Sequence, residues 1–265
     1  MYDPHDIYIR NPATGEQIAL PTRSLGSYST VAFAYLPSVG EYKVLRVILF
    51  FSSLQHPIRR SEVFTLGSGR WRDIKEGPPF WVHDENSAVV DEAVHFLPGI
   101  FTWRLAVGDL HDLHDVDNEA IARFDLEKEE WSELPLPSIR HFLRDSRDED
   151  WNFRLTRLGG SLCMECWGRS RVDLWLLEEG RDSCASWVKA YSIDRCCYPH
   201  QFRVRALLER SDGKLQVYNP VEERVEATIF KKGRKSSFFG VSSYVESFMT
   251  LDDESFKSLK KQEAI

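Results

Sequence analysis

The chain of 265 residues carries 34 Lys and Arg against 41 Asp and Glu, with a formal net charge of −7 and a pI near 5.7, which excludes the overall basic balance of a nucleic-acid binder. Hydrophobic residues make up 42% and charged residues 28%, with 8 Trp, so the composition is that of a globular chain with an aromatic-rich core. No basic segment followed by an apolar run opens the chain, nothing approaches the roughly 18 consecutive apolar residues of a membrane span, and the odd number of cysteines is expected to be reduced thiols in the cytoplasm or nucleus.

The first unit, Ile7 to Thr22 (IYIRNPATGEQIALPT), reads as a hairpin, because Asn-Pro and Thr-Gly are turn formers between alternating runs. Thr30 to Phe51 gives two β-rich runs around Pro-Ser-Val-Gly, the second of them a central, buried strand. Ser61 to Glu76 (SEVFTLGSGRWRDIKE) is a second hairpin around Gly-Ser-Gly. After Gly77-Pro78-Pro79, Ala88 to Leu97 is expected to be one strand closed by Pro98-Gly99. Gly108 to Glu119 reads as a polar loop. Ile121 to Pro137 (IARFDLEKEEWSELPLP) is the clearest hairpin: alternation into Phe124, a turn started by Asp125, then Trp131, Leu134 and closing prolines that cannot donate to a ladder. Asn152 to Trp167 forms two strands around Gly159-Gly160, followed by a fourth hairpin in VDLWLLEEGRDSCASWVKAYSI. Phe202 to Glu209 and Lys214 to Phe230 complete the β pattern, and the latter contains LQVYNPVEERVEATIF.

These hairpins are copies of one another. Asn11, Thr65, Asp125, Leu176 and Asn219 take the same place in each, Trp71, Trp131 and Trp187 recur on the returning strand with Gln17 standing for them in the first, and Pro21 matches Pro135. A repeat of roughly 40 to 50 residues with several strands per unit is the mark of a β-propeller, whose blades bury their faces against their neighbours. The fold expected is therefore all-β, a propeller of about five to six blades, with a first blade left incomplete because its inner strands would precede residue 1. The propeller domain is placed at residues 1–250 and a tail at 251–265.

The succession YKVLRV (Tyr42 to Val47), EAVHFLPG (Glu92 to Gly99), IARFDLEKEEWSELPLP, LTRLGGSLCM (Leu155 to Met164), VDLWLL, LQVYNP and SYVESF (Ser243 to Phe248) resembles the F-box-associated domain of plant F-box proteins. The resemblance covers nearly the whole chain. It implies a kelch-like propeller that serves as the substrate-recognition module of an SCF-type ubiquitin ligase, binding a protein substrate and, through an F-box, the ligase's adaptor and cullin. That F-box is lacking ahead of IYIRNP in this sequence, so adaptor and cullin are implied partners only if an F-box is supplied elsewhere. A binding scaffold or decoy that recruits no ligase is the alternative, and a propeller enzyme a more remote one.

No residue stands in a catalytic context: there is no Gly-x-Ser-x-Gly, P-loop or dinucleotide fingerprint, so no enzyme activity and no cofactor are expected. His111, Asp112, His114, Asp115 and Asp117 have the composition of a zinc site, but His-x-x-His suits a helix and none is expected there; the run reads as a solvated loop. Cys163 and Cys166, with Cys196 and Cys197, number enough for four thiolates. On a strand, however, positions 163 and 166 face opposite ways, and buried small apolar residues are expected instead. Lys231 to Lys235 (KKGRK) is read as a solvated loop rather than an import signal, and Trp71, Trp131, Trp175 and Trp187 as blade core. Binding is expected on the rim loops, with four candidates: the segments around His56, Pro78 to Glu85, His111 to Asn118 and Arg140 to Asp150.

Overall fold

The computed structural model describes residues 7–21, 28–50, 58–98, 120–137, 152–158, 160–168, 171–179, 185–194, 197–202, 206–210, 214–219 and 224–231. Their regular structure is entirely β. A lone hairpin, β1 (Tyr8–Arg10) and β2 (Gln17–Ala19), precedes four sheets of four strands. The first holds β3 (Tyr28–Leu36), β4 (Glu41–Phe50), β5 (Ile58–Thr65) and β6 (Trp71–Ile74); the second β7 (Val82–Val90), β8 (Ala93–Pro98), β9 (Ala120–Asp125) and β10 (Glu130–Pro135). The third holds β11 (Asn152–Leu158), β12 (Ser161–Trp167), β13 (Arg171–Glu179) and β14 (Ala185–Asp194); the fourth β15 (Cys197–Phe202), β16 (Ala206–Arg210), β17 (Lys214–Asn219) and β18 (Arg224–Lys231). Each sheet is an antiparallel meander in chain order, and the first strands touch in succession, β3 on β7, β7 on β11 and β11 on β15. This is the all-β architecture expected, with four four-stranded sheets and one lone hairpin among the described residues, and four of the repeated hairpins are the two outer strands of successive sheets.

The turns explain why the repeat is visible. The Asn11 side chain accepts the Ala13 N–H at 3.0 Å, while Asp125 accepts those of Glu127 and Lys128 at 3.1 and 3.0 Å. Four residues beyond the anchors Asn11, Thr65 and Asp125, the backbone turns left-handed at Gly15 (φ 77°), Gly69 (φ 72°) and Glu129 (φ 59°). Glycine adopts this conformation freely, whereas a side chain there costs about 1 kcal/mol or more.

Glu129 holds that conformation while gripping the first sheet. Its carboxylate accepts both terminal nitrogens of Arg72, at 2.6 and 2.5 Å, and the buried Lys43 ammonium at 3.0 Å; Lys43 also donates to the Leu126 carbonyl at 2.7 Å. Glu92, also left-handed (φ 57°), accepts the Ser38 N–H and hydroxyl at 2.9 and 2.6 Å. Two glutamates of the second sheet therefore clamp the first at the same end.

Between the clamped sheets lies a continuous core of Ala32, Leu45, Val47, Val63, Phe80, Val94, Phe96 and Phe124. A second core joins Val90, Leu97 and Ile121 to Phe153, Leu155 and Met164 of the third sheet. Each fully buried Phe or Leu contributes about 2 kcal/mol. Every repeated Trp faces the preceding unit and donates its indole N–H there: Trp71 to the Pro21 carbonyl (2.9 Å), Trp131 to the Ser61 hydroxyl (3.1 Å) and Trp187 to the Pro135 carbonyl (2.7 Å). On its own sheet Trp131 pairs across from Phe124 and Trp71 from Phe64, with ring centroids 4.9 and 5.4 Å apart.

Three sequence readings are corrected. Ala88 to Leu97 is not one strand but the hairpin β7–β8, whose two-residue turn, Asp91-Glu92, has both residues left-handed. A two-residue loop without Gly or Asn leaves the apolar pattern unbroken and hides the turn. In the third sheet Trp187 pairs with Leu177, so Glu178 and not Leu176 occupies the Asp125 position, and the turn has lengthened less than the sequence comparison implied. The run Leu174 to Leu177 is apolar throughout and offers no polar mark to fix the register. Finally, Phe202 ends a strand, β15, and does not begin one.

Glu129→Ala is expected to cost about 3 kcal/mol in urea unfolding, because it leaves Lys43 buried with a single carbonyl partner, whereas Arg72→Ala should cost less than about 1 kcal/mol. Burial alone would raise the Glu129 carboxyl, but hydrogen bonds from Arg72 and Lys43 hold it below its ordinary 4.5. Its contribution is therefore complete above pH 4.5, and the gap between wild type and Glu129→Ala should close as the pH falls below that value.

Candidate binding rim

A four-stranded meander that begins at its inner strand sends its connections out at two ends. In the first two sheets the first-to-second and third-to-fourth strands are joined by short turns, residues 37–40, 66–70, 91–92 and 126–129, and these form the clamped end. Phe50 ends β4, Ile58 begins β5 and the linker 75–81 joins β6 to β7 at the opposite end, the loop end. His56, His111 to Asn118 and Arg140 to Asp150 lie outside the described residues, as do Cys196 and the basic run beyond Lys231. Of Pro78 to Glu85, only the part to Trp81 is loop; Val82 onward is β7.

The linker 75–81 shows how the rim is fixed. A Cβ placed on Gly77 would meet the Arg59 carbonyl oxygen at 2.3 Å and its carbon at 2.8 Å, so only glycine lets the linker lie on the start of β5. Pro78 and Phe80 are buried, Phe80 within the core between the two sheets. Beside the linker Ile58 is exposed, and the Arg60 guanidinium lies 5.7 Å from the Phe50 ring centroid. An exposed aliphatic, a stacked arginine and the half-buried Trp81 are side chains suited to contact with another protein.

The polar groups beneath the rim are structural. Among the described residues no three His, Cys, Asp or Glu are grouped to hold a metal ion. Cys163 and Cys166 are both buried, in clusters on opposite faces of the third sheet, and burial raises both thiols, so neither is poised as a nucleophile. His95 is buried on the side turned toward the third sheet; burial, with the nearby Arg123 charge, lowers it to about 4. Glu165 is buried on the third sheet, and burial raises it to about 7 even though Trp167 Nε1 donates to it at 3.0 Å and the Arg154 charge opposes the rise.

Gly77, which fixes the linker 75–81, and Glu92 and Glu129, which clamp the opposite end, were not legible as such in the sequence, although aligning the hairpins puts Glu129 where two other copies have glycine. Trp71, Trp131 and Trp187 are packing residues as read, with the added bond to the preceding unit. Trp175 packs against the same core as Trp187.

The comparisons bear on this geometry. Residues 1–206 match the family described as the F-box associated beta propeller domain. The chain belongs to that family. This F-box associated domain is also 26% identical over 210 residues to an F-box protein of Arabidopsis thaliana, an alignment covering 71% of the chain and 46% of that protein, so the chain spans about half the length of its relative. A solved protein structure from Lactobacillus plantarum matches at 12% identity with a TM-score of 0.35, over 83% of this chain and 62% of the other.

Gly77→Ala in this F-box associated domain is expected to displace the linker, because the obstacle is backbone and cannot swing aside; the cost should exceed about 2 kcal/mol, read from the urea midpoint. The two buried titrating groups should oppose each other between pH 5 and 7. His95 is depressed, so its contribution is lost as pH falls from 6.5 toward 4, whereas Glu165 is raised, so its contribution is lost as pH rises from 4.5 through 7. Each amounts to about 2 kcal/mol across that range. Stability of His95→Leu should therefore fall from pH 5 to 7 and that of Glu165→Gln should rise, around a nearly flat wild-type profile.

Proposed function

We infer that this F-box associated domain is the substrate-recognition module of an SCF-type ubiquitin ligase and takes a protein substrate at the loop end of its first two sheets. The observation that carries this reading is the family match over residues 1–206, seconded by a relative that is itself an F-box protein. The geometry supports the placement: stiff, clamped turns at one end, and at the other the long connections around Ile58, Arg60 and Trp81. Adaptor and cullin are then engaged only through an F-box, supplied elsewhere, and the domain holds the substrate without reacting with it. The setting is the cytoplasm or nucleus.

The test is affinity capture from a plant extract on the immobilised chain, with bound proteins identified by mass spectrometry. Ile58→Asp combined with Arg60→Glu should reduce specific capture at least tenfold without lowering thermal stability, and purified adaptor should not bind. Capture that survives these changes but is lost on changing turn-end residues such as Ser38 would overturn the rim assignment. Direct adaptor binding by this chain would overturn the dependence on a separate F-box.

A further inference from the structure

The loop end of the first sheet carries an arginine seated on an aromatic ring and on no carboxylate. Arginines that serve the fold are paired within the chain: Arg46 with Glu62 at 3.0 Å, Arg123 with Asp125 at 3.2 Å, Arg171 with Asp173 at 3.3 Å, and Arg72 with Glu129. Arg60 is exposed, and among the described residues it makes no hydrogen bond or ion pair. Its guanidinium lies over the Phe50 ring, 5.7 Å from the centroid. A ring on one side restricts the group without neutralising it, so its in-plane N–H donors remain available to a planar acceptor.

The strand register sets what stands beside it. Phe50 pairs with Ile58 and Ile48 with Arg60, so these four side chains share one face of the sheet. Ile48 is buried, Phe50 half-buried and Ile58 49% exposed, which leaves an apolar step next to the guanidinium. The backbone under this step is fixed, because Gly77 lies against the Arg59 carbonyl and Phe80 of the same linker is held in the core. The corner is also locally positive. Within residues 58–60 and 75–81, Arg59, Arg60 and Lys75 stand against Glu76 alone, although the chain as a whole carries −7.

We propose that this corner of the rim binds an extended acidic segment of the substrate, with an Asp or Glu carboxylate on Arg60 and an apolar side chain two positions away against Ile58 and Phe50. The inference rests on the reading of this end as the substrate-binding rim. The spacing follows from the strand: Ile58 and Arg60 are alternate residues of β5, about 7 Å apart, which is the separation of alternate side chains in an extended peptide. A guanidinium offers two parallel N–H donors to a carboxylate, whose two oxygens accept both, while a side-chain amide has one oxygen to accept. The negative charge of the whole chain opposes an acidic ligand only weakly, since salt screens charges more than about 8 Å apart and leaves the contact pair to decide.

Synthetic decapeptides of Ser and Gly, carrying Glu, Gln or Lys at one position and Leu or Ser two positions on, test this when titrated into the isotopically labelled full chain. Binding is followed by NMR at the Ile58 methyls and the Arg60 Nε–H. The peptide with Glu and Leu should shift both signals and bind about fivefold more tightly than its Gln counterpart, the most that an exposed pair of good geometry supplies. The Lys counterpart should bind most weakly. Arg60→Gln should erase the preference for Glu over Gln, and Ile58→Ser that for Leu over Ser, with Tm unchanged because both side chains are exposed. Equal binding of the Glu and Gln peptides at these signals overturns the acidic assignment while leaving the rim in place. Absence of any shift with the Glu and Leu peptide overturns it too, and substrate capture by Ile58→Asp with Arg60→Glu then decides the rim separately.

Discussion

Each sheet of this protein depends on its neighbour, because a four-stranded meander with apolar side chains on both faces cannot be stable in water by itself. The bond that repeats at the first three junctions is the indole N–H near the start of the outermost strand reaching back to the preceding unit: Trp71 to Pro21, Trp131 to Ser61, Trp187 to Pro135. A buried indole needs a partner for its one donor. Placing that partner on the previous sheet makes the angle between units part of satisfying the residue, so the largest side chain of the repeat both fills the interface and orients it.

The first junction adds polar groups to this apolar scheme. Glu92 and Glu129 stand at left-handed positions where glycine would sit without strain, and their carboxylates hold Ser38, Lys43 and Arg72 across the interface. The backbone strain at these two turns is offset by charge-assisted hydrogen bonds, and for Lys43 by pairing an ammonium that burial would otherwise leave exposed to a poor solvent. The outcome is a rigid end of the molecule opposite the one with variable loops. Recognition surfaces need such a base, since side chains on long connections are positioned only as well as the strands they spring from.

How far the sequence disclosed this follows the range of the interactions. Hairpins closed by Asn11, Asp125 and Gly-Ser-Gly were legible because their turns are made by residues within a few positions of one another. The repeat was legible because Trp, turn residue and strand end recur together. The Asp91-Glu92 turn was not, since its left-handed backbone is held by Ser38 of the first sheet and by the Leu126 N–H of its own, contacts with residues far away along the chain. The displaced register at Leu176 has the same origin: four successive apolar residues satisfy either pairing locally, and the face of the second sheet selects one. Of the linker 75–81, position along the chain could be read, but not that Gly77 is held by the Arg59 backbone.

The end at which the linkers leave is a matter of parity. With four strands to a sheet, the chain leaves every unit on the side by which it entered, so each linker returns to the same end. A unit of two strands, such as β1–β2, keeps this phase; a unit of three or five would invert every loop after it. Strand pairs can therefore be gained or lost without moving the end at which the linkers leave, while a single strand cannot. Evolution of such a propeller is free to lengthen and rewrite its loops, but its sheets can change only by twos.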